Sequence, residues 1–596
     1  MAESVADYLL HRLRDWGVEE VFAFPGDGIN AILAAFGRAK NQPKFVQSRH
    51  EEMSAFEAVG YAKFSGRFGV CMATSGPGAI HLLNGLYDAL LDHVPVVAIV
   101  GQTARSGIGG SYQQEVDLQT LFKDVCHNYV VTATVPKQLP NVLDRAIRVA
   151  LAERAPTCII IPSDVQELDY EPPGHAFKEV PSSLGISWPS VDPDTEAIRR
   201  SADILNAGKK VAILVGQGAR DASTEVAQVA DLLGAGVAKA LLGKDVLPDD
   251  LPFVTGSIGL LGTRPSYELM MGCDTLLTVG SNFPYIQFLP PLGQARAIQI
   301  DIDGKFIGMR YPYEVNLVAD AKRALQALIP LLQKKSDRSW QEELEGHVRR
   351  WWEVVERRAM TDSDKSECVN PMRLVWDLNA HIPDDAMLSS DSGSAANWYA
   401  RHLKMRGTMR GSLSGTLATM GPGVPYAIGA KFAHPDRPVI ALVGDGAMQM
   451  NGMNGLITIS KYWKDWSNPH LIVLVLNNED LNQVTWEMRA QSGDPKFNAS
   501  QQIPNVAYAR YAELLGLKGI YCDDPKKVGA CWDEAFSSDR PCVLEVKTDP
   551  NIPPLPPHIS LKEAKAFATT LLKGDPEEAS VITKSIRQLA EEFLPH

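Results

Sequence analysis

The segment Val443-Gly444-Asp445-Gly446-Ala447 closes an apolar, β-rich run over Val439–Val443, and the next such run, Leu471–Leu476, ends in Asn477-Asn478. Glycines on both sides of Asp445 let backbone approach a phosphate closely. The Asp carboxylate and a following Asn amide are hard oxygen ligands of the kind magnesium takes alongside phosphate oxygens. Alone, Asp-Gly after a strand reads as a plain turn; the paired Asn after the next strand points to a cation and a phosphate. A second acidic segment, Arg49-His50-Glu51-Glu52, opens the helical run Met53–Phe64. Two acids suit the positive end of a helix dipole, and by themselves they read as a solvated helix start. The middle of the chain carries Gly216-Gln217-Gly218-Ala219-Arg220, Gly256-Ser257-Ile258-Gly259-Leu260-Leu261-Gly262, Gly280-Ser281-Asn282 and Ile300-Asp301-Ile302-Asp303. Each glycine cluster borders a strand-like run and suits a dinucleotide pyrophosphate, and an acid after a strand suits a ribose.

These groups need strands to hold them. Apolar runs over Val94–Val100, Val211–Val215, Thr275–Val279, Val439–Val443 and Leu471–Leu476 alternate with helical stretches such as Ala222–Leu233. Near-continuous apolar strands between helices predict parallel sheets covered on both faces, with ligands at the carboxyl ends of the strands. Three segments read as connectors: proline-broken Pro162–Asp194, charged Lys334–Pro371, helical in part around Trp351-Trp352, and proline-rich Asp549–His558. They divide the chain into 1–180, 190–335, 365–548 and a tail, 549–596. The predicted fold class is α/β, with three doubly wound parallel-sheet domains plus the C-terminal tail. In that tail Val581, Ile582, Ile586, Leu589, Phe593 and Leu594 would form an apolar helical stripe. Glu577, Glu578, Glu591 and Glu592 make it a poor match to anionic headgroups, so it is expected to pack on protein rather than on a membrane.

At 596 residues the chain exceeds one hydrophobic core, and 45% apolar with 22% charged residues is the balance of a soluble globular protein. A formal charge of −13 argues against nucleic acid as a partner. Eight scattered cysteines form no CxxC pair and read as free thiols in a reducing compartment. No uncharged apolar run approaches the roughly 18–20 residues of a membrane span. The N-terminal MAESVADYLLHRL reads as an amphipathic helix without the features of a leader. A cytoplasmic protein is expected.

Taken together, the GDG…NN pair and the RHEE segment resemble motifs of the thiamine-diphosphate enzymes that act on 2-oxo acids. The resemblance implies Asp445, Asn478 and the Asp480 carbonyl as magnesium ligands, with Gly444, Gly446 and Ala447 at the diphosphate. It implies Glu51, rather than Glu52, as the acid that hydrogen-bonds the cofactor's pyrimidine and promotes loss of the thiazolium C2 proton. Phe24-Pro25-Gly26-Asp27 and Thr74-Ser75-Gly76-Pro77-Gly78 resemble active-site loops, which brings in Pro25, Gly26 and Gly76. Ser111-Tyr112-Gln113-Gln114-Glu115 resembles a catalytic loop contributing Gln114, with Gln113 where Phe is usual. Asp391-Ser392-Gly393 resembles a diphosphate contact. Ala418-Thr419-Met420-Gly421 resembles the segment that bends the cofactor, with Met420 beneath it and the Ala418 carbonyl on its 4′-amino group. The stretch between Asp445 and Asn478 is longer than the family usually shows and predicts a surface insertion around Tyr462–Asn468.

The middle block resembles the flavin domain of pyruvate oxidases and of quinone-linked pyruvate dehydrogenases. It implies FAD held by Gly216, Gly218, Arg220, Gly256, Ser257, Gly259, Gly280, Ser281, Asn282 and Asp301, although many relatives keep this domain without flavin. The implied three domains are pyrimidine-binding, FAD-binding (Rossmann-like) and diphosphate-binding. The implied activity is oxidative decarboxylation of pyruvate or a close 2-oxo acid with thiamine diphosphate, Mg²⁺ and FAD. The alternative is an acetolactate-synthase-like carboligase or decarboxylase whose flavin carries no electrons. Gln113 and Gln483, polar where aromatics are expected, keep that alternative open. A non-catalytic scaffold has no need of Glu51, Asp445 and Asn478 together. The family pattern further implies a homotetramer in which the Glu51 domain of one chain meets the Asp445 domain of another.

Overall fold

The computed structural model describes residues 3–187, 190–361 and 368–554, and within the tail 566, 569–570, 573 and 575–577. The predicted stripe from Val581 to Leu594 lies outside the described residues. Three six-stranded sheets run along the chain. The first is built from β1 (Glu20–Ala23), β2 (Lys44–Gln47), β3 (Gly69–Ala73), β4 (Val96–Gln102), β5 (Val130–Thr132) and β6 (Pro156–Pro162) in the order β2-β1-β3-β4-β6-β5. The second holds β7 (Val211–Val215), β8 (Gly236–Lys239), β9 (Val254–Ser257), β10 (Thr275–Val279), β11 (Arg296–Asp301) and β12 (Val315–Val318) in the order β12-β11-β10-β7-β8-β9. The third holds β13 (Met387–Ser390), β14 (Arg410–Ser412), β15 (Val439–Gly444), β16 (Leu471–Asn477), β17 (Lys518–Cys522) and β18 (Cys542–Lys547) in the order β14-β13-β15-β16-β18-β17. The strand pairs within them are parallel, as the all-apolar strands require: β4 and β16 are buried at every position.

The second sheet has the dinucleotide-binding strand order, with its switch point between β7 and β10. The first and third share one order when strands are counted from the start of each domain. These two domains are joined by the helices Glu51–Ser65 and Gly423–Ala433, each buried almost all round. Glycines allow that approach: a Cβ on Gly60 would lie 2.7 Å from the Tyr426 Cα, and one on Gly429 would strike the Glu57 carbonyl. Beside the seam, buried Lys63 donates to Asp92 (2.7 Å) and to the Leu413 carbonyl (2.7 Å). Asp92 also accepts from the Gly415 and Thr416 N–H groups (2.9 and 2.7 Å), and Asp88 accepts from Ser414 Oγ (2.6 Å) and from the Tyr426 hydroxyl. First-domain acids thereby fix the chain that leaves β14.

The segment 334–371 is helical around Trp351-Trp352 as expected, but over 22 residues, Ser339–Met360, with Trp340 and Leu344 in the second domain's core and Ala359 in the third's. One expectation is corrected. The segment around Tyr462–Asn468 is not a free surface insertion. Trp466 is buried against Phe432, Asp465 pairs with Lys44 (2.6 Å), and the Tyr462 hydroxyl accepts from the Gln47 N–H (2.8 Å). All eight cysteines are free, and no helix among the described residues is long and apolar enough to cross a membrane.

Candidate active site

Strands β15 and β16 pair up to Gly444–Leu476, so Asp445 and Asn478 leave the sheet side by side. Asp445 is 3% exposed. Its carboxylate accepts from the N–H groups of Gly446 (2.9 Å), Asn478 (2.9 Å) and Glu479 (2.6 Å), which stitches the two strand ends together. A carboxylate offers about four lone-pair positions, so room remains for a cation. Burial pushes this carboxyl up to about 7, against the pull of those three donors. A divalent cation would offset that desolvation. Asn478 Oδ1 accepts from the Asp480 N–H (3.0 Å). The Asp480 side chain is committed to Thr485 (3.0 Å), Asn482 (3.1 Å) and Lys496 (3.1 Å); its backbone carbonyl accepts from the Asn482 N–H (2.7 Å) and keeps a second lone pair for a ligand role. Carboxylate, amide and carbonyl oxygens together fit magnesium chemistry. The space beside Gly444 is open, whereas a Cβ on Gly446 would lie 2.7 Å from Leu481; Ala447 continues the turn, buried.

The segments that face this turn are held just as firmly. Asp391, directly after β13, accepts from the N–H groups of Ser392 (2.9 Å), Gly421 (2.8 Å) and Gly423 (2.7 Å), and burial pushes it up to about 6. Its charge is thus spent on backbone, so a diphosphate contact from this segment falls to Ser392 and to Gly393, which opens the helix Ser394–His402. Ser392 Oγ donates to the Thr419 carbonyl (2.7 Å). Ala418 has φ 53°, a left-handed conformation that costs a non-glycine residue on the order of 1–3 kcal/mol and tends to mark functional segments. Gln114 (φ 61°) and Glu479 (φ 56°) share it. Met420 lies over the GDG turn, its Cε 4.0 Å from where a Cβ on Gly446 would stand.

In the first domain His50 caps the helix Glu51–Ser65 by accepting from the Glu52 N–H at Nδ1 (3.2 Å). Glu51 is 7% exposed; its Oε2 lies 2.9 Å from His81 Nδ1, and its Oε1 faces Gly78. The His50 and His81 ring centroids lie 4.3 Å apart, with the rings tilted by 31°. Glu52 turns the other way, to Asn84 and to Asn451 (3.2 Å), and Asn84 also donates to Thr419 Oγ1 (3.1 Å). Gln114 sits against Gly76 and accepts from Ser75 Oγ (3.0 Å); Gly26, after Pro25, packs on Thr74; Gln113 is exposed. The predicted residues therefore fall into two sets. Pro25, Gly26, Glu51, Gly76 and Gln114 gather in the first domain, and Asp391–Gly393, Ala418, Met420, Gly444–Ala447, Asn478 and Asp480 in the third. Among the described residues the Glu51 carboxylate hydrogen-bonds His81 and no member of the second set. His81 carries no sequence spacing relative to Glu51 that would have singled it out.

Residues 3–121, 198–328 and 391–546 match, in turn, the N-terminal TPP binding domain, the central domain and the C-terminal TPP binding domain of thiamine pyrophosphate enzymes. YdaP of Bacillus subtilis, named as a thiamine pyrophosphate-containing protein, is 36% identical over 584 residues, spanning 97% of this chain and 98% of its own. The chain belongs to the thiamine pyrophosphate enzyme family. This enzyme is also 32% identical to a pyruvate oxidase of Lactiplantibacillus plantarum over 76% of the chain and 74% of that protein. It is 29% identical to the acetolactate synthase isozyme 1 large subunit of Escherichia coli over 92% and 96%. Thiamine diphosphate is therefore its cofactor.

The central domain of this thiamine pyrophosphate enzyme presents Gly216, Gly218 and Gly280 at its switch point, and Gly256 and Gly259 at the edge strand β9. Gly218 N–H donates to the Gly280 carbonyl (3.1 Å) and Gly216 N–H to the Val279 carbonyl (3.0 Å), so these glycines first of all let two strand ends close together. Gly256 and Gly259 (both φ 100°) shape a loop docked on the third domain: Arg401 donates to the Gly262 carbonyl (3.1 Å) and Ser257 Oγ to the Ala400 carbonyl (3.1 Å). Arg220 is committed to Asp245 (2.8 Å) and to the Leu242 carbonyl (2.9 Å). The groups left for a dinucleotide are Ser281, Asn282 and Asp301. Asn282 Oδ1 is buried and has no hydrogen-bond partner among the described residues, and burial raises Asp301 above the ordinary carboxylate range. An orphaned amide oxygen and a carboxylate at a switch point fit a flavin dinucleotide.

Proposed function

We propose that this enzyme uses Mg²⁺ and FAD beside thiamine diphosphate to decarboxylate pyruvate, or a close 2-oxo acid, oxidatively. The observation that carries the flavin part is the partnerless Asn282 oxygen near Gly280 at the switch point of the central sheet. The pyruvate oxidase relative supports the substrate class. Thiamine diphosphate, when bound, supplies a nucleophilic thiazolium carbon. Glu51 holds and moves a proton at the pyrimidine nitrogen, while His81 fixes one carboxylate oxygen and leaves the other free. Asp445, Asn478 and the Asp480 carbonyl hold the magnesium that anchors the diphosphate. The strained Ala418 presents its carbonyl to the aminopyrimidine, Met420 supports the bend, and Gln114 orients substrate.

The Glu51 set and the Asp445 set belong to different domains, and Glu51 makes no hydrogen bond to the latter within one chain. We therefore assign the active sites to subunit interfaces, in a homotetramer. Eight free cysteines support a reducing, cytoplasmic setting.

A second reading, carboligation with a flavin that carries no electrons, is favoured by Gln483. This side chain is polar, hydrogen-bonded to Asn397 (2.8 Å) and Glu487 (3.0 Å), and its Cβ stands 3.8 Å from where a Cβ on Gly393 would be. The visible spectrum of purified protein, with product analysis after pyruvate is added, separates the two. Flavin bands bleached by pyruvate, with acetate or acetyl phosphate formed, support oxidation. Acetolactate with unbleached flavin supports carboligation, and a protein that takes up no FAD overturns the flavin part.

A further inference from the structure

We propose that the cavity where the three domains meet binds a phosphate-bearing small molecule of the size and charge of a nucleoside diphosphate. The cavity holds about 640 Å³, within the roughly 300–1,000 Å³ of small-molecule sites. None of the Glu51 set or the Asp445 set lines it, although Arg220 of the central glycine segment and the far end of the helix Glu51–Ser65 do. The third domain lines it with the chain that enters β14 (405–410) and with His434 and Arg437 before β15, the ends of those strands opposite to Gly444 and Asp445. The second domain adds Arg220, Ser223, Thr224 and the loop from Asp245 to Leu251, and the first adds Phe64 and Ser65.

Charge in this cavity is unbalanced. Four arginines, Arg220, Arg406, Arg410 and Arg437, line it with a single carboxylate, Asp245. That carboxylate is buried and shared: Arg220 Nε donates to one oxygen (2.8 Å) and Arg410 Nε to the other (3.2 Å). Arg406 is answered by Asp384 at the rim and by the Ile382 carbonyl. Arg437 donates only to backbone, the Asp385 and Thr408 carbonyls (2.7 Å each). Burial and the neighbouring Arg410 both hold Arg437 below the ordinary guanidinium range, although Asp385 and Asp436 act against them. Arg410 thus shares one carboxylate with Arg220, and Arg437 has no carboxylate hydrogen-bonded to it among the described residues, which leaves an excess of guanidinium charge where a bidentate anion gains most.

Ser223 and Thr224 bring two hydroxyls to the same cavity, at the start of an 11-residue helix that no side chain caps. Val246, Leu251 and Met405 add apolar lining that suits the base or sugar of a nucleotide better than a bare phosphate does. An occupant would touch all three domains at once, and through β14 it would bear on the chain leading to Ala418.

The test uses the full-length enzyme saturated with thiamine diphosphate, Mg²⁺ and FAD, so that the other phosphate sites are filled. Calorimetry with ADP should show one saturable site per chain, weakening with added salt. Arg410→Ala should lower the affinity tenfold or more and leave basal turnover unchanged, since Asp245 keeps Arg220. Inorganic pyrophosphate should bind the same site more weakly than ADP; the reverse order would overturn the nucleoside part. Thr224→Glu, which adds a carboxylate at the exposed rim, should abolish binding without touching the buried pair, and it keeps the test open if Arg410→Ala fails to fold. No saturable ADP binding to the wild-type holoenzyme, or binding by both variants as tight as the wild type's, would overturn the proposal.

Discussion

The first and third domains present the same four strand ends to chemistry and use them differently. After the first strand of each come Pro25-Gly26 and Asp391-Ser392-Gly393; after the second, Glu51 and Ala418–Met420. After the third come Gly76 and Asp445; after the fourth, Gln114 and Asn478. In the third domain both carboxylates are wrapped by three backbone N–H groups each, which fixes their position and makes a rigid oxygen cradle. In the first domain the carboxylate of Glu51 meets one imidazole and an open glycine face, a setting in which a proton can move. One topology supplies the positions; the partners of each carboxylate decide whether it holds or transfers.

Breaking the transferring side should have the largest effect. Glu51→Gln should slow turnover of pyruvate by roughly 10²–10⁴, the scale of a lost acid–base group. Glu52→Gln should instead show up in thermal denaturation, by about 0.5–1.5 kcal/mol, because its bonds to Asn84 and Asn451 hold domains together. Breaking the holding side comes next. Asp445→Ala should weaken magnesium-dependent binding of thiamine diphosphate at least tenfold, about 1.4 kcal/mol, and Asn478→Ala less, as read by calorimetry.

The seam between the two domains gives smaller, structural effects. Gly429→Val places methyl groups against the Glu57 carbonyl and should cost about 1–3 kcal/mol in chemical denaturation, with turnover per folded enzyme retained. Glu57 gives a pH-dependent effect. Burial pushes its carboxyl from 4.5 up to about 8; Ser48 donates to one oxygen (2.5 Å), and the other has no partner among the described residues. With the folded value raised, its contribution to stability is full below the unfolded value and is lost as pH rises through about 8. Glu57→Gln should therefore stabilise the protein at about pH 9, by about 1–3 kcal/mol, and give no gain at about pH 4. An equal gain at both would contradict the assignment.

Much of this contrast was legible in residue types. The runs Val211–Val215 and Thr275–Val279 are strands as written, because short runs rich in apolar and β-branched residues suit a parallel strand buried on both faces. Asp445 and Asn478 announced themselves by glycine and by the strand before them. What depends on side-chain direction was not legible. Arg220 stands in line with Gly216 and Gly218, yet its guanidinium turns to Asp245. Trp466 sits in a polar stretch, and its burial comes from Phe432 and Lys431, on a helix distant in sequence. The charged helix Ser339–Met360 looks like a linker because its buried face is narrow, carried by Trp340, Leu344, Val348, Trp351 and Val355. The matching strand ends of the first and third domains share no visible sequence repeat; strand order is preserved while the reactive side chains at the strand ends differ.

The most direct test of the division of labour is deuterium exchange at the thiazolium C2 of bound thiamine diphosphate, measured in wild type and Glu51→Gln at full cofactor occupancy. The account predicts exchange slowed at least a hundredfold in the variant, on the general acid–base scale, with cofactor affinity unchanged within about twofold. Exchange at the wild-type rate, or a loss of affinity in step with the loss of rate, would contradict it.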